Sequence, residues 1–354
     1  MDPRHEQELI VNSDELQQVC SQIYQKVGVA KSDADAIAEM QVLMDLRGVH
    51  SHATRSLVGY VRGIISGSIN PAPQIEVLGD NPASVLLDGN GGLGHLVSFH
   101  AMNMAIAKAK AASIGVAVVR NSNHFGAASS HSMRALAHDM IGFATTNGPG
   151  VNMAIFGAMS PSIGNNAFSY AIPAGEEPSI VLDMACGAAA AGKIGTARMY
   201  NEKIPLNWGL DENGEETDDP SKVAVILPAA GTKGSALSVV MDVLCGPLSG
   251  GLTGIIKMFD PGDALSEDCA PAHFFLAINI ASLTSVENFK ATVDRQIYMT
   301  RQAKPRKGFD RIVLPGEIEW ELTQKRRMDG IPLHKSQLQT LKELADEFGV
   351  HVSW

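Results

Sequence analysis

The sequence predicts an α/β protein in which a central α/β body is flanked by a helical domain built from both chain ends. Three observations carry this. From Ile75 to about Ser282, short apolar runs alternate with amphipathic stretches, the pattern of strands exchanged with helices. Both ends instead show helical periodicity, with apolar residues three and four apart. And a chain of 354 residues, 45% hydrophobic and 5% aromatic, can bury a large core and has the composition of an ordered α/β protein. The helical domain is assigned to residues 1–76 with 303–354, and the α/β domain to 77–302.

At the N-terminus, Asn12 with Glu15 forms a capping-box pattern before Leu16, Val19, Cys20 and Ile23. Ser32 with Asp35 is expected to open a second helix carrying Ile37, Met40, Leu43 and Met44, which Gly48 stops. A third helix is expected from Ser56 to about Ser66, with Leu57, Tyr60, Val61 and Ile64 on one face. Expected strands follow at Ser84–Leu87, Gly115–Val119, Ile141–Thr146, Ser169–Ile172, Ile180–Asp183 and Phe274–Ile280. Between them, helices are expected at Leu96–Ala112, Ser129–Asp139, Ala188–Ala197, Ser235–Leu248 and Val286–Gln302. The tail returns to helix at Ile318–Met328 and Lys335–Phe348.

The net charge of −10 and the lack of a Lys/Arg block argue against nucleic acid as a partner. No apolar run reaches the ~20 residues of a membrane span. Four widely spaced cysteines without a CxxC pair, and an N-terminus without an apolar leader, give the expectation of a soluble cytoplasmic protein. An anionic substrate would need local cations, and Arg47, Arg55, Arg62, Arg120, Lys193 and Lys233 are available.

Two histidine segments carry the chemistry. Arg47-Gly48-Val49-His50-Ser51-His52-Ala53-Thr54-Arg55 and Asn121-Ser122-Asn123-His124-Phe125-Gly126-Ala127-Ala128 each set an imidazole among hydroxyls or amides, near a glycine and an element end. Imidazole titrates near neutrality, so both segments suit proton transfer. A zinc hydrolase is the competing reading from another class, with His50-x-His52 joined by His124 or His131 and a carboxylate. Gly89-Asn90-Gly91-Gly92-Leu93-Gly94 also satisfies the GxGxxG dinucleotide fingerprint between a strand and a helix. Yet the next strand ends in Arg120 rather than an acidic ribose ligand, and the glycines are read as a tight structural turn.

Further marks stand in order along the chain: Gly164-Asn165-Asn166-Ala167-Phe168, Leu182-Asp183-Met184-Ala185-Cys186, Gly192-Lys193, and Gly231-Thr232-Lys233-Gly234-Ser235-Ala236-Leu237. Asp242-Val243-Leu244, Gly246, Leu248-Ser249-Gly250 and Leu314-Pro315-Gly316-Glu317 complete the series. With the histidine segments, this series resembles the malate/L-lactate dehydrogenase type 2 family. That family also holds ureidoglycolate, sulfolactate and diketogulonate oxidoreductases and cyclic imino-acid reductases. The resemblance runs from about Leu16 to Pro332. It implies NAD or NADP bound in a non-Rossmann α/β domain with a mixed sheet, and a homodimer whose active sites lie near the subunit interface. It implies hydride transfer between nicotinamide and a small 2-hydroxy or 2-keto acid, with no resident metal.

Carried over residue by residue, it places His124, Phe125, Gly126, Ala127 and Ala128 against the cofactor. Asp183, Met184, Ala185, Lys233, Gly316 and Glu317 join them. Ser51, His52 and His124 match the catalytic neighbourhood, and Asn165 a substrate contact. Arg55 and Lys193 are the cations expected to hold a substrate carboxylate. Three departures touch the substrate end: Ala53 replaces a glycine, Ser56 stands where the family has arginine, and Gly164-Asn165-Asn166-Ala167 replaces Gly-Thr-Asn-Pro. The cyclic imino-acid branch typically has an acid where this chain has Lys193, which leaves ketimine reduction the runner-up. Whether His52 or His124 is the acid/base is open at this level.

Overall fold

The computed structural model describes residues 7–148, 150–262 and 269–354. A short strand β1 (Glu8–Val11) precedes helices α1 (Ser13–Lys26), α2 (Lys31–Leu46) and α3 (Leu57–Ile65). The body runs β2 (Glu76–Asp80), β3 (Ser84–Asp88), α4 (Gly94–Ala112), β4 (Ile114–Arg120), α5 (Ser129–Ser132), β5 (Met140–Thr146), β6 (Ala167–Ile172) and β7 (Ile180–Ala185). It continues with α6 (Ala191–Met199), β8 (Gly209–Leu210), β9 (Val225–Ile226), α7 (Thr232–Cys245), α8 (Gly254–Phe259), β10 (His273–Asn279) and α9 (Val286–Arg301). The tail forms α10 (Glu317–Asp329), β11 (Ile331–His334) and α11 (Lys335–Glu347).

Asn12 caps α1 as its pattern demands, accepting from the Asp14 and Glu15 amides at 2.9 and 3.1 Å. Helix α2 departs from expectation. It starts at Lys31 behind Ala30, without a side-chain cap, and Asp35 is turned instead to Ser21 and Lys31. Gly48 stops the chain after α2 at φ +82°, a conformation glycine adopts without steric cost. Two 3₁₀ turns, His50–His52 and Thr54–Ser56, then precede α3. The helix expected over Ser129–Asp139 is one α-turn followed by a 3₁₀ stretch, Met133–His138.

Seven strands form one mixed sheet in the order β2-β3-β4-β10-β5-β6-β7. Only β3 and β4 are parallel, joined across α4; β10 enters the middle antiparallel to both β4 and β5. Helix α4 is apolar nearly all round because it is buried on two sides. Leu96 belongs to a cluster with α1, α2, α3 and α11, while Val97, Ala101 and Ala105 pack against the sheet. The first cluster draws on residues 11–69 and 331–352, and β1 pairs with β11 to tie the two chain ends together.

The loop at Gly89–Gly94 is filled by protein. A Cβ on Gly94 would lie 2.1 Å from the Asn123 carbonyl oxygen and 2.4 Å from that of His124. The Asn123 amide donates to the carbonyls of Gly91 and Gly92 at 2.8 and 3.1 Å. Arg120 is paired with Asp88 at 3.1 Å. The glycines let α4 butt against the segment that carries His124.

Candidate active site

A cavity of about 1510 Å³ opens beside the two histidine segments. Its walls come from the turn after α2 (Arg47 to His52), the run His124 to Ser129, the end of β7, the start of α6, and Leu314 to Gly316. Small-molecule sites usually occupy 300–1,000 Å³, so this one has room for a dinucleotide and a small acid together. None of Gly89–Gly94 lines it.

His52 and His124 face each other on this wall, with ring centroids 5.7 Å apart and planes within 25°. Each has its Nδ1 tied off. Ser51 Oγ lies 2.8 Å from His52 Nδ1, and the buried Tyr60 hydroxyl lies 2.5 Å from His124 Nδ1. Nε2 is therefore the nitrogen left to each ring for the cavity. Burial disfavours the imidazolium and lowers both pKa values, that of His124 to about 4; Lys193 adds to the effect on His52, and His52 to that on His124. Burial likewise pushes the Tyr60 phenol up, so it remains protonated.

Lys193 stands in the first turn of α6 and lines the cavity. This approach is possible because residue 192 is glycine: a Cβ there would meet Ser51 Cβ at 2.6 Å. Arg55 lies elsewhere. Its guanidinium donates to Thr196 Oγ1 at 3.0 Å and lines a separate small cleft with His334 and Gln337. Asn165 reaches the cavity wall, but its amide is used in the fold. It accepts from the Gly187 N–H at 2.6 Å and donates to the Ala189 carbonyl at 2.8 Å, shaping the loop before α6.

Of the cofactor residues implied by resemblance, Phe125, Gly126, Ala127, Ala128, Asp183, Met184, Ala185 and Gly316 line the cavity with His124. Lys233, in the first turn of α7, does not, and neither does Glu317. The Glu317 carboxylate pairs with Arg301 at 3.2 Å and accepts from the Leu314 amide at 3.0 Å, which fixes the turn presenting Gly316. Asp183 accepts from the Ser129 amide at 3.2 Å. Enclosure raises its carboxyl above the ordinary range, against the opposing pull of Ser129 and Arg47.

Tyr60 gains a role only here, and Arg47, one of several candidate cations, gains a place. Tyr60 had been an apolar-face residue of α3; a buried phenol needs a hydrogen-bond partner, which is the signal that could have singled it out. Arg47 is 7% exposed, lines the cavity, and its Nε has no protein partner among the described residues. A buried guanidinium near Asp183 and Glu319, with its Nε unpaired, is a donor suited to a polar ligand. With the exposed backbone of the glycine- and alanine-rich walls, it fits a dinucleotide.

The sequence matches the family model described as malate/L-lactate dehydrogenase over residues 11–342. The chain belongs to that family. It is 35% identical over 350 residues to malate dehydrogenase of Pyrococcus abyssi, covering 96% of this chain and 95% of that protein. It is 35% identical over 354 residues to L-sulfolactate dehydrogenase of Methanocaldococcus jannaschii, covering 99% and 97%. The solved malate dehydrogenase of Pyrococcus horikoshii superposes with a TM-score of 0.88 at 31% identity, over 98% of each chain. This dehydrogenase is thus an oxidoreductase of hydroxy acids that uses NAD or NADP. Among its described residues, no helix is long and apolar enough to cross a membrane.

Proposed function

We propose that this dehydrogenase interconverts a small 2-hydroxy acid and its 2-keto acid, with Lys193 holding the carboxylate, His52 the substrate oxygen and His124 the proton. The observation that carries this is the facing imidazole pair with Lys193 at its His52 side. The nicotinamide, when bound, accepts or supplies the hydride. His124 through Ala128, Asp183 through Ala185 and Gly316 would hold the cofactor, with Arg47 donating to it.

His124 is assigned the proton because it heads the run that lines the cofactor wall, whereas His52 lies toward Lys193. The acid/base must sit beside the carbon that exchanges hydride. His124 is neutral at neutral pH, so in oxidation its Nε2 takes the hydroxyl proton, with the Tyr60 hydroxyl beside Nδ1 orienting the ring. The substrate carboxylate nearby favours the imidazolium that forms. In reduction the same proton returns to the carbonyl oxygen. Lys193 supplies the charge without the bidentate fork of an arginine, and a cation there suits a carboxylate better than it suits a protonated ketimine.

The same reading includes a cytoplasmic homodimer. It is supported by the apolar residues that α7 and α8 leave exposed, among them Val240, Val243, Ile256 and Phe259, and by cysteines that are all free thiols. The test is turnover of NADH and NADPH against pyruvate, oxaloacetate, 2-ketoglutarate, a sulfonated keto acid and a cyclic ketimine. Turnover with keto acids supports the reading. Turnover with the ketimine alone overturns it.

A further inference from the structure

We infer that Asp45 is the positioning residue of the catalytic turn, acting with His50 and Arg326 as a brace that holds Ser51 and His52 in place. The inference rests on the proposed role of His52. Residues 50–56 form two short 3₁₀ turns with no side-chain cap of their own, so something else must fix them. One fully buried carboxylate does so from both sides. Asp45 Oδ1 lies 2.6 Å from His50 Nδ1, and Asp45 Oδ2 accepts from Thr54 Oγ1 at 2.5 Å and from the Thr54 amide at 3.2 Å. Ser51, His52 and Ala53 are the bight between these two anchors. Behind them, Arg326 of α10 donates through Nη1 to the Asp45 carbonyl at 2.6 Å and reaches His50 Nε2 at 3.1 Å. Gln337 of α11 donates to Thr54 Oγ1 at 3.3 Å.

Only one proton arrangement satisfies all of these contacts. A carboxylate only accepts and a guanidinium only donates. His50 must therefore carry its proton on Nδ1, facing Asp45, and offer its Nε2 lone pair to Arg326. Both nitrogens are then committed to protein, which removes His50 from the zinc set considered for His50-x-His52. The brace also joins distant parts of the chain. Asp45 ends α2, and Arg326 lies on the helix whose first turn follows Gly316 at the cofactor wall.

The arrangement makes a sharp prediction for Asp45→Asn. The amide has one oxygen and one NH2. Turned toward Thr54, the NH2 meets the Thr54 N–H; turned toward His50, it forces the imidazole proton onto Nε2, against Arg326. Arg326→Gln removes that second conflict, because its amide oxygen can accept from Nε2–H. Nitrogen NMR of the imidazoles in the substrate-free, full-length chain should show a proton on His50 Nδ1 and none on Nε2. Asp45→Asn should lower kcat by about 10²-fold, the order of loss from misplacing an aligned group, with NADH and NADPH dissociation constants unchanged. Arg326→Gln alone should lower kcat by less than Asp45→Asn does, because its amide NH2 can still donate to His50 Nε2. Asp45→Asn/Arg326→Gln should recover about tenfold over Asp45→Asn, a coupling expected only of groups in one network.

An Nε2–H or charged His50 in the wild-type chain overturns the inference. So does an unchanged kcat in Asp45→Asn, or a double variant that recovers nothing. Should Asp45→Asn not fold, the wild-type tautomer decides alone. Failure of the substrate reading is separable, because it appears as absent keto-acid turnover in the wild type while the tautomer is read without substrate.

Discussion

Five of the described histidines lie in two layers at the cavity, and the layers do opposite things. His52 and His124 form the front, each with one nitrogen tied to a hydroxyl and the other left for the cavity. His95, His131 and His273 form the back, closed off from it. His273 bonds Thr146 and Ser122, both at 2.9 Å, and stacks on Phe125 with centroids 4.8 Å apart. His131 lies 2.8 Å from the Phe125 carbonyl, and His95 packs under Gly126, where a Cβ would meet its Nε2 at 2.3 Å. The back layer thus supports, from behind, the backbone run that begins at His124. Burial depresses the pKa in both layers, most strongly for His95 and His273. A depressed pKa therefore does not mark the chemistry; a free nitrogen on the cavity does.

The largest expected effect tests the front layer. His124→Ala should lower kcat by roughly 10²–10⁴-fold, the usual worth of a positioned acid/base, while NADH or NADPH still raises the melting temperature. An equal loss from His52→Ala with His124→Ala unaffected would exchange the two roles.

Next comes acid stability, which both layers share. Folded pKa values below the ordinary 6.5 mean that the unfolded chain binds protons the native chain refuses. Stability should therefore be full above about pH 6.5 and fall as pH drops from there toward about 4. Unfolding in that range should take up protons at His95, His124, His131 and His273. Calorimetry in buffers of different ionisation enthalpy reads this uptake; none at all would mean that these rings are solvated.

Lys193→Ala should raise KM for a keto acid by about 10–100-fold, the worth of one charged hydrogen bond, with nucleotide affinity unchanged. Arg55→Ala should leave that KM alone. A higher KM in the arginine variant would move the carboxylate toward the Thr196 side of α6. The smallest effect belongs to the back layer. His273→Leu should cost about 1–3 kcal/mol of stability by orphaning Ser122 and leaving Thr146 only the Ala272 carbonyl, with kcat nearly unchanged in the folded protein. Loss of kcat without loss of stability would erase the distinction between the layers.

Much of the secondary structure was legible because it depends on neighbours in sequence. Strand β3, the end of α4, the start of α9 and the Asn12 cap follow from local pattern and turn chemistry. The misses follow from the same rule. Strands β1 and β11 are four residues each and exist only because they pair with one another across the length of the chain. Helix α5 gives way to a 3₁₀ stretch, Met133–His138, that packs beneath β5, where Gly142 admits the Ser132 carbonyl within 2.1 Å of a would-be Cβ. At the site, the histidine segments stood out as polar islands among apolar runs, but Tyr60 was hidden in an apolar stripe.

By itself, the sequence determined the alternation of strands and helices, the two histidine segments and the ordered series of short motifs that resembles one dehydrogenase family. These are properties of residues close together along the chain. Tertiary structure alone decided that Gly89–Gly94 is plugged by Asn123, that His52 stacks on His124, and that Lys193 rather than Arg55 reaches the cavity. It also closed Asp45 around a turn that begins five residues later and is buttressed from residues 326 and 337. The physical reason is that a hydrogen bond or a steric stop acts over a few ångströms in space, and which residues come that close is fixed only when the sheet and the two chain ends pack together.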